Sequence, residues 1–399
     1  MKYIKKLYAE AKRRDLYPDI PTVEGVAYPE LTMDGKKFLC LCSNNYLGLS
    51  IHPAVKKAAI EGIEEYGIGT CESRLVAGNL KLIEDLESDI ADFKGTEDAL
   101  VFLSGFMANL GSIPAIIDGF EAYDLPKYDN SNNLIIRDVL AHTSIIEGCR
   151  LSKTNTKSYL HNDMNHLEKI LQRNKDKRKL IVTDGVFSMD GDMAPLDRIV
   201  ELAQKYDAMT MVDDAHATGV IGDNGRGTPE YFNVEDEIDI VMGTLSKAAG
   251  GLGGYITGPK ELIKMLRVRA KTYVFTSTIP PEQAKALRKS FDIMKNGSEL
   301  RAKLWKNAVH LRSGLKALGF DIMCTESQII PVYIGDNAKS IKMARIMYEN
   351  GLLASAIRYP AVAPDESRIR FSVMATHTSE QINLALDIIE NAGKAAGVI

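Results

Sequence analysis

Between about residues 96 and 260, short β-branched apolar runs alternate with amphipathic stretches. The runs "DALVFLS", "NNLIIRDVL", "KLIVTDGVF", "AMTMVDDA" and "IDIVMGTL" predict strands. The stretches "MNHLEKILQRN" and "LDRIVELAQKYD" repeat their apolar residues at helical spacing. Apolar runs of strand length between helices predict a parallel sheet buried on both faces. Polar residues gather where these runs end: Ser104, Asp184, Asp213, Ser246 and Lys247. In an open α/β sheet the carboxyl ends of strands border the ligand crevice, so this placement favours a site over a core.

After "TSTIPPEQ" a Lys-rich helical segment runs to about residue 318. A smaller α+β region follows, with strands around "IIPVYIG" and "RIRFSVM" and a closing helix "SEQINLALDIIENAGKAAG". The expected organisation is an N-terminal arm over 1–50, a large domain over 51–290 and a small C-terminal domain over 291–399. A long, polar, turn-rich insert occupies 118–133.

With 399 residues the chain suits two domains, and 45% hydrophobic with 26% charged residues describes a globular protein with ample core. A net charge of −4 argues against a nucleic-acid binder. No apolar run approaches the ~18 residues of a membrane span, and the charged N-terminus lacks a signal core. The five cysteines lack metal spacing, which predicts reduced thiols and a cytoplasmic protein.

Three turns carry groups suited to a phosphate. "FLSGFMANLG" places Ser-Gly between strand and helix, where free amides make an anion site. "GTLSK" adds Thr244 and Ser246, and "FTSTIPP" adds Thr276, Ser277 and Thr278. Neither a P-loop nor a Rossmann glycine pattern is present, so a nucleotide is not indicated. His142, Asp184, Asp213 and His216 are also metal-ligand types. No HExxH or paired-histidine motif supports a metal, and none is expected.

A phosphate cradle, an acid at a strand end, an imidazole and a lone lysine flanked by small residues suit pyridoxal 5′-phosphate. Its aldehyde bonds to a lysine amine, and an aspartate keeps its pyridine nitrogen protonated so that the ring accepts electrons. Burial lowers a lysine's pKa and favours the nucleophilic amine. The Gly and Ala residues around Lys247 leave room for ring and substrate.

The ordered motifs "SNNYLGLSIHPAV", "SRLVAGN", "SGFMAN", "HTSIIEGCRLS", "DGVFSMDGDMAPL", "VDDAHATGVIGDNGRG", "GTLSKAAGG" and "RIRFSVMATHT" span nearly the whole chain. In these the sequence resembles the α-oxoamine synthase group of fold-type I pyridoxal-phosphate enzymes. The resemblance implies an α/β transferase fold, with a mostly parallel sheet in the large domain and a smaller α+β C-terminal domain. It implies Lys247 as the Schiff-base lysine, Asp213 as the pyridinium partner and His142 stacked on the ring. Ser188 and His216 would neighbour the ring's phenolic oxygen, and Gly105, Phe106 and Thr244 would meet the phosphate. Thr276 would reach the phosphate of a neighbouring subunit, which implies a homodimer with shared sites. Arg370 would grip the amino-acid carboxylate, and Asn45 falls in the substrate region.

The implied reaction condenses a small amino acid of the glycine, alanine or serine type with an acyl thioester of CoA or acyl carrier protein. It gives an α-amino ketone, usually with decarboxylation. A long-chain, serine palmitoyltransferase-like enzyme is the alternative; an aminotransferase of the same fold and a non-catalytic partner subunit are more remote. In "KMLRVRAKTY" the density of Lys264, Arg267, Arg269 and Lys271 predicts that several face solvent. They would either meet an anionic donor or form a plain solvated face.

Overall fold

The computed structural model describes residues 1–13, 21–25, 29–118, 130–359 and 361–399. Most of the 118–133 insert therefore lies outside the described residues. The N-terminal strands β1 (Glu30–Met33) and β2 (Lys36–Cys40) form a hairpin. The central sheet is built from β3 (Asp98–Phe102), β4 (Asn133–Asp138), β5 (Asn155–Tyr159), β6 (Arg178–Asp184), β7 (Ala208–Asp213), β8 (Ile240–Thr244) and β9 (Gly254–Gly258). Its order is β3-β9-β8-β7-β6-β4-β5.

The five apolar runs all become strands. Consecutive residues serve opposite faces, as a pleated strand buried on both sides requires. Ile135, Leu180, Val182, Met211 and Met242 pack with the helices Gly105–Ile117, Thr143–Ser152 and Lys260–Arg269. Leu134, Ile136, Ile181, Val212 and Val241 pack instead with Met164–Gln172 and Leu196–Lys205.

Two strands were not legible as apolar runs. β5 reads "NTKSY" and is a half-buried strand at the sheet edge. β9 reads "GYITG" and runs antiparallel between β3 and β8, so the sheet is mixed at this end. The neighbouring pairs from β8 through β5 are all parallel.

The Lys-rich segment is two helices, Pro281–Lys295 and Ser298–Ala317, interrupted at Asn296 and Gly297. The first packs on the helices Pro53–Tyr66 and Lys81–Lys94. The second packs on the closing helix Ser379–Ala396. The C-terminal region holds β10 (Ile329–Gly335), β11 (Leu352–Leu353), β12 (Ser355–Ile357) and β13 (Ser367–Ser372). β13 lies between β10 and β12, antiparallel to both. β11 pairs in parallel with β2, which joins the N-terminal hairpin to this region.

Candidate active site

The carboxyl ends of β6, β7 and β8 deliver the reactive groups. Asp184 and Asp213 end β6 and β7 as register partners, both buried. Asp213 accepts from Asn109 Nδ2 at 2.8 Å and from the Ala215 amide at 3.1 Å. Burial raises its pKa above the ordinary carboxylate range, while His142 and Lys247 pull it down. Asp184 is raised further, by burial and by the charge of Asp213, and it accepts from the His142 amide at 3.0 Å. Asp214 faces a different surrounding. It is held by Lys94 at 2.8 Å and by the Thr228 hydroxyl at 2.7 Å, a structural ion pair.

Lys247 follows β8 and is half-buried. Its Nζ lies 2.8 Å from His216 Nε2. Burial lowers the lysine pKa to about 8, against the pull of Asp213. His216 is buried, and its pKa falls well below 6.5 through burial and the nearby cations Lys247 and Arg370. His142 caps the Thr143–Ser152 helix, its Nδ1 2.7 Å from Ser144 Oγ. Burial lowers its pKa too, with Asp213 opposing.

The turn expected to bind an anion is formed as a helix N-terminus. Ser104 caps Gly105–Ile117 by accepting from the Met107 amide at 3.1 Å, which leaves the Gly105 and Phe106 amides ahead of the first intrahelical bonds. A Cβ on Gly105 would lie 3.3 Å from Thr244 Cβ, so the hydroxyl-bearing end of β8 abuts this turn. A Cβ on Gly254 would lie 2.4 Å from the Gly105 nitrogen, which is why β9 needs glycine there. Thr244 Oγ1 lies 2.9 Å from Ser246 Oγ. Thr276 lines a crevice with Arg74, Phe102 and Leu103, and a Ser73–Ser277 bridge ties its turn to the 73–76 segment.

Arg370, on β13, donates from Nε to the Ser188 carbonyl at 2.5 Å and from Nη2 to Asn44 Oδ1 at 3.2 Å. The 41–46 segment reaches this arginine because Ser372 and Ala375 bond back to the Leu41 and Tyr46 carbonyls. Asn45 closes its own loop on Ser50, at 2.9 Å, and it is Asn44 that faces Arg370. Arg368, two residues earlier, is spent on Asp190 and Glu366.

These residues fit pyridoxal 5′-phosphate. Two buried acids side by side call for a cation, which a protonated pyridine nitrogen supplies. The helix start and Thr244 suit a phosphate, and Lys247, lowered to about 8, gives up its proton more readily than an ordinary lysine. Among the described residues no group of three or more His, Cys, Asp or Glu side chains could hold a metal ion. Sequence reasoning missed Asn109, Asn44 and Tyr46. Asn109 was visible as a polar residue in the apolar helix "GFMANLG", yet its partner Asp213 lies 104 positions away.

The basic stretch 264–271 does not present four free cations. Arg267 pairs with Glu87 at 3.1 Å, and Glu87 also holds Arg74. Arg269 donates to the Asp118 carbonyl at 2.8 Å. Lys264 and Lys271 are exposed.

Residues 36–389 match the model of the aminotransferase class I and II family. Curated relatives include 8-amino-7-oxononanoate synthases. The one from Thermoanaerobacter pseudethanolicus is 44% identical over 100% of this chain and 98% of its own. The one from Treponema denticola is 43% identical with the same coverage. A serine palmitoyltransferase structure from S. paucimobilis, with a bound PLP–myriocin aldimine, matches with TM-score 0.92 at 34% identity. It covers 100% of this chain and 99% of that one. An 8-amino-7-oxononanoate synthase structure from Francisella tularensis matches with TM-score 0.76 at 27% identity, covering 91% of this chain and 99% of that one.

Proposed function

Since the chain belongs to the aminotransferase class I and II family and to its α-oxoamine synthase group, we propose that it is a pyridoxal-phosphate-dependent acyltransferase of the 8-amino-7-oxononanoate synthase kind. It would join a small amino acid to an acyl thioester. The α-carbon bonds to the thioester carbonyl, the C–S bond breaks, and the thiol leaves. The carboxylate is lost as CO2, and a proton returns to the α-carbon. The observation that carries the reading is Lys247, a half-buried amine with a pKa of about 8, beside His216 and electrostatically coupled to both Asp213 and Arg370.

Pyridoxal phosphate supplies, when bound, an aldehyde for the amine and a protonated ring that draws electrons from the α-carbon. The protein does the rest. Asp213 would hold the proton at the ring nitrogen, with Asn109 orienting that carboxylate. The amides of Gly105 and Phe106, with Thr244, would hold the phosphate. His142 would cover the ring, and Ser188 and His216 would border its phenolic oxygen. Arg370 binds the amino-acid carboxylate, and Asn45 shapes the substrate entrance. Lys247 removes and returns the α-proton, for which a pKa near working pH is suited.

The domain division proposed is an arm over 1–50, a cofactor-binding domain over 51–290 and a small domain over 291–399. A homodimer is supported by exposed apolar side chains on the segments that flank the site. Ile68, Val76 and Phe275 are 80%, 74% and 80% exposed. A second copy would cover them and bring Thr276 to its partner's phosphate. No described helix is long and apolar enough to cross a membrane. A cytoplasmic location, and a soluble acyl donor, belong to the proposal.

The test mixes the cofactor-loaded protein with alanine, glycine or serine and acyl thioesters of graded chain length, on CoA and on acyl carrier protein. Thiol and CO2 should appear in equal amounts with one amino acid preferred. Amino-acid-dependent keto acid without thiol release would instead make it an aminotransferase. The likeness to serine palmitoyltransferase, with a TM-score of 0.92, supports a second reading as a long-chain enzyme. A preference for serine with a long acyl chain would establish that reading.

A further inference from the structure

Arg370, Asn44, Tyr46, His216 and Lys247 form one unbroken line of side-chain contacts. Arg370 Nη2 meets Asn44 Oδ1 at 3.2 Å, and Tyr46 Oη meets the same oxygen at 3.1 Å. Tyr46 Oη then lies 2.6 Å from His216 Nδ1, and His216 Nε2 lies 2.8 Å from Lys247 Nζ. Tyr46 is fully buried, and its hydroxyl has a single proton to give.

The proton count fixes the resting arrangement. A guanidinium only donates, so Asn44 must turn its carboxamide oxygen, not its NH2, toward Arg370. Tyr46 Oη lies 3.1 Å from that oxygen, and two oxygens so placed need a hydrogen between them, which only the hydroxyl can supply. The tyrosine oxygen thus shows lone pairs to Nδ1, and Nδ1 must be the nitrogen that carries hydrogen. Nε2 is left as an acceptor for an N–H of Lys247. We propose that Tyr46 is a positioning residue that sets which nitrogen of His216 carries the proton, and that Asn44 ties this choice to Arg370, so that a carboxylate arriving at Arg370 is felt at Lys247.

When a carboxylate draws Arg370 from Asn44, the carboxamide is free to turn and the Tyr46 proton can swing to Nδ1. The imidazole then carries its hydrogen on Nε2, exchanged through solvent with no net proton gained or lost. An Nε2–H can donate to a neutral amine but clashes with an ammonium. Binding of the carboxylate would therefore favour the base form of Lys247, where and when it is needed. The inference rests on the acyl-transfer reading for its use, but its test needs neither cofactor nor thioester.

The other charged or titratable groups coupled to this pair are His142 on its helix, Asp184 on β6, Asp213 on β7 and Arg370 on β13. Tyr46→Phe leaves these four charged groups present and removes, besides the His216 contact, the hydroxyl's own interactions with Arg370 and Gln328. The measurement is competitive labelling of Lys247, in the full chain freed of cofactor, by a limiting amine reagent across about pH 6 to 10. Wild type should show a midpoint of about 8. In Tyr46→Phe the Nε2–H form becomes accessible and the midpoint should fall by about 0.5 unit or more. Asn44→Ala should shift it the same way. Asn44→Asp, which still accepts from both donors, should keep or raise it. Midpoints within about 0.2 unit of wild type, in whichever of Tyr46→Phe and Asn44→Ala folds, overturn the proposal. Loss of acyl transfer with the midpoint shifts intact would instead count against the proposed function alone.

Discussion

Asp184 and Asp213 end adjacent parallel strands in register, and both carboxyl groups are pushed above their ordinary 3.8 by burial. An acid whose folded pKa is raised favours folding while protonated and opposes it once ionised. The cofactor-free chain should therefore lose stability as pH rises from about 4 through the raised folded values. The cofactor's ring cation should offset that loss. Thermal midpoints of the free and loaded forms should diverge with rising pH across this window. Parallel curves would mean that the acids do not face the cofactor.

Asp213→Asn separates these two roles. The amide can still sit beside Asn109, and the cofactor-free variant should be at least as stable as wild type near neutral pH. Turnover should nevertheless collapse, because an amide does not hold the ring proton. Loss of a buried charge partner costs about 3–5 kcal/mol, or roughly two to four decades in rate. A variant within tenfold of wild type would remove Asp213 from this role.

Lys247 must be neutral to capture the cofactor. With a pKa of about 8, the rate of capture by the free chain should rise roughly a hundredfold between about pH 6 and pH 9. Lys247→Ala should show no visible cofactor band after gel filtration. Borohydride reduction of wild type should mark the peptide containing Lys247, and a label on another lysine would displace it.

Much of this site was readable because strand ends are readable. Apolar runs that stop at Asp184, Asp213 and Lys247 announce both the sheet and its crevice. What escaped was encoded without an apolar run or without proximity in sequence. β5 is a polar edge strand, and β9 is glycine-rich because it must let the 105–117 helix approach. Tyr46 and His216 stand 170 positions apart, brought together because the 41–46 segment is hydrogen-bonded to Ser372 at the end of β13 and to Ala375 beyond it. Likewise "VDDA" offers two acids, and only the surroundings of each separate Asp213 in the site from Asp214 on Lys94.

Arg370 and Arg368 are distinguished by their partners. Arg370→Leu should raise the amino-acid KM and slow turnover while cofactor loading persists, since a guanidinium both binds and orients a carboxylate. Arg368 is 2% exposed and paired with Asp190 and Glu366, so Arg368→Leu should act on stability. Breaking such a buried pair costs about 3–5 kcal/mol. Denaturant melts and amino-acid titrations on both variants make the comparison. An unchanged KM in Arg370→Leu would place the carboxylate elsewhere.

Arg267 shows how structure redirects an expectation about charge. Its cationic neighbourhood in sequence suggested attraction of an anionic donor. In the fold its guanidinium lies 3.1 Å from Glu87 and 3.8 Å from Asp98, and Glu87 also holds Arg74 and the Val101 amide. The Glu87 side chain is 2% exposed, so it depends on these cations for its charge. Arg267→Glu would set a second carboxylate beside it and leave Arg74 to serve both. The expected outcome is a destabilisation of about 3 kcal/mol or more, with donor KM unchanged in the protein that still folds. Lys264→Glu, at an exposed position three residues away, should alter stability by no more than about 0.5 kcal/mol. If Arg267→Glu melts like wild type and raises donor KM in a salt-dependent way, the arginine serves the donor after all, and Glu87 is held by Arg74 alone.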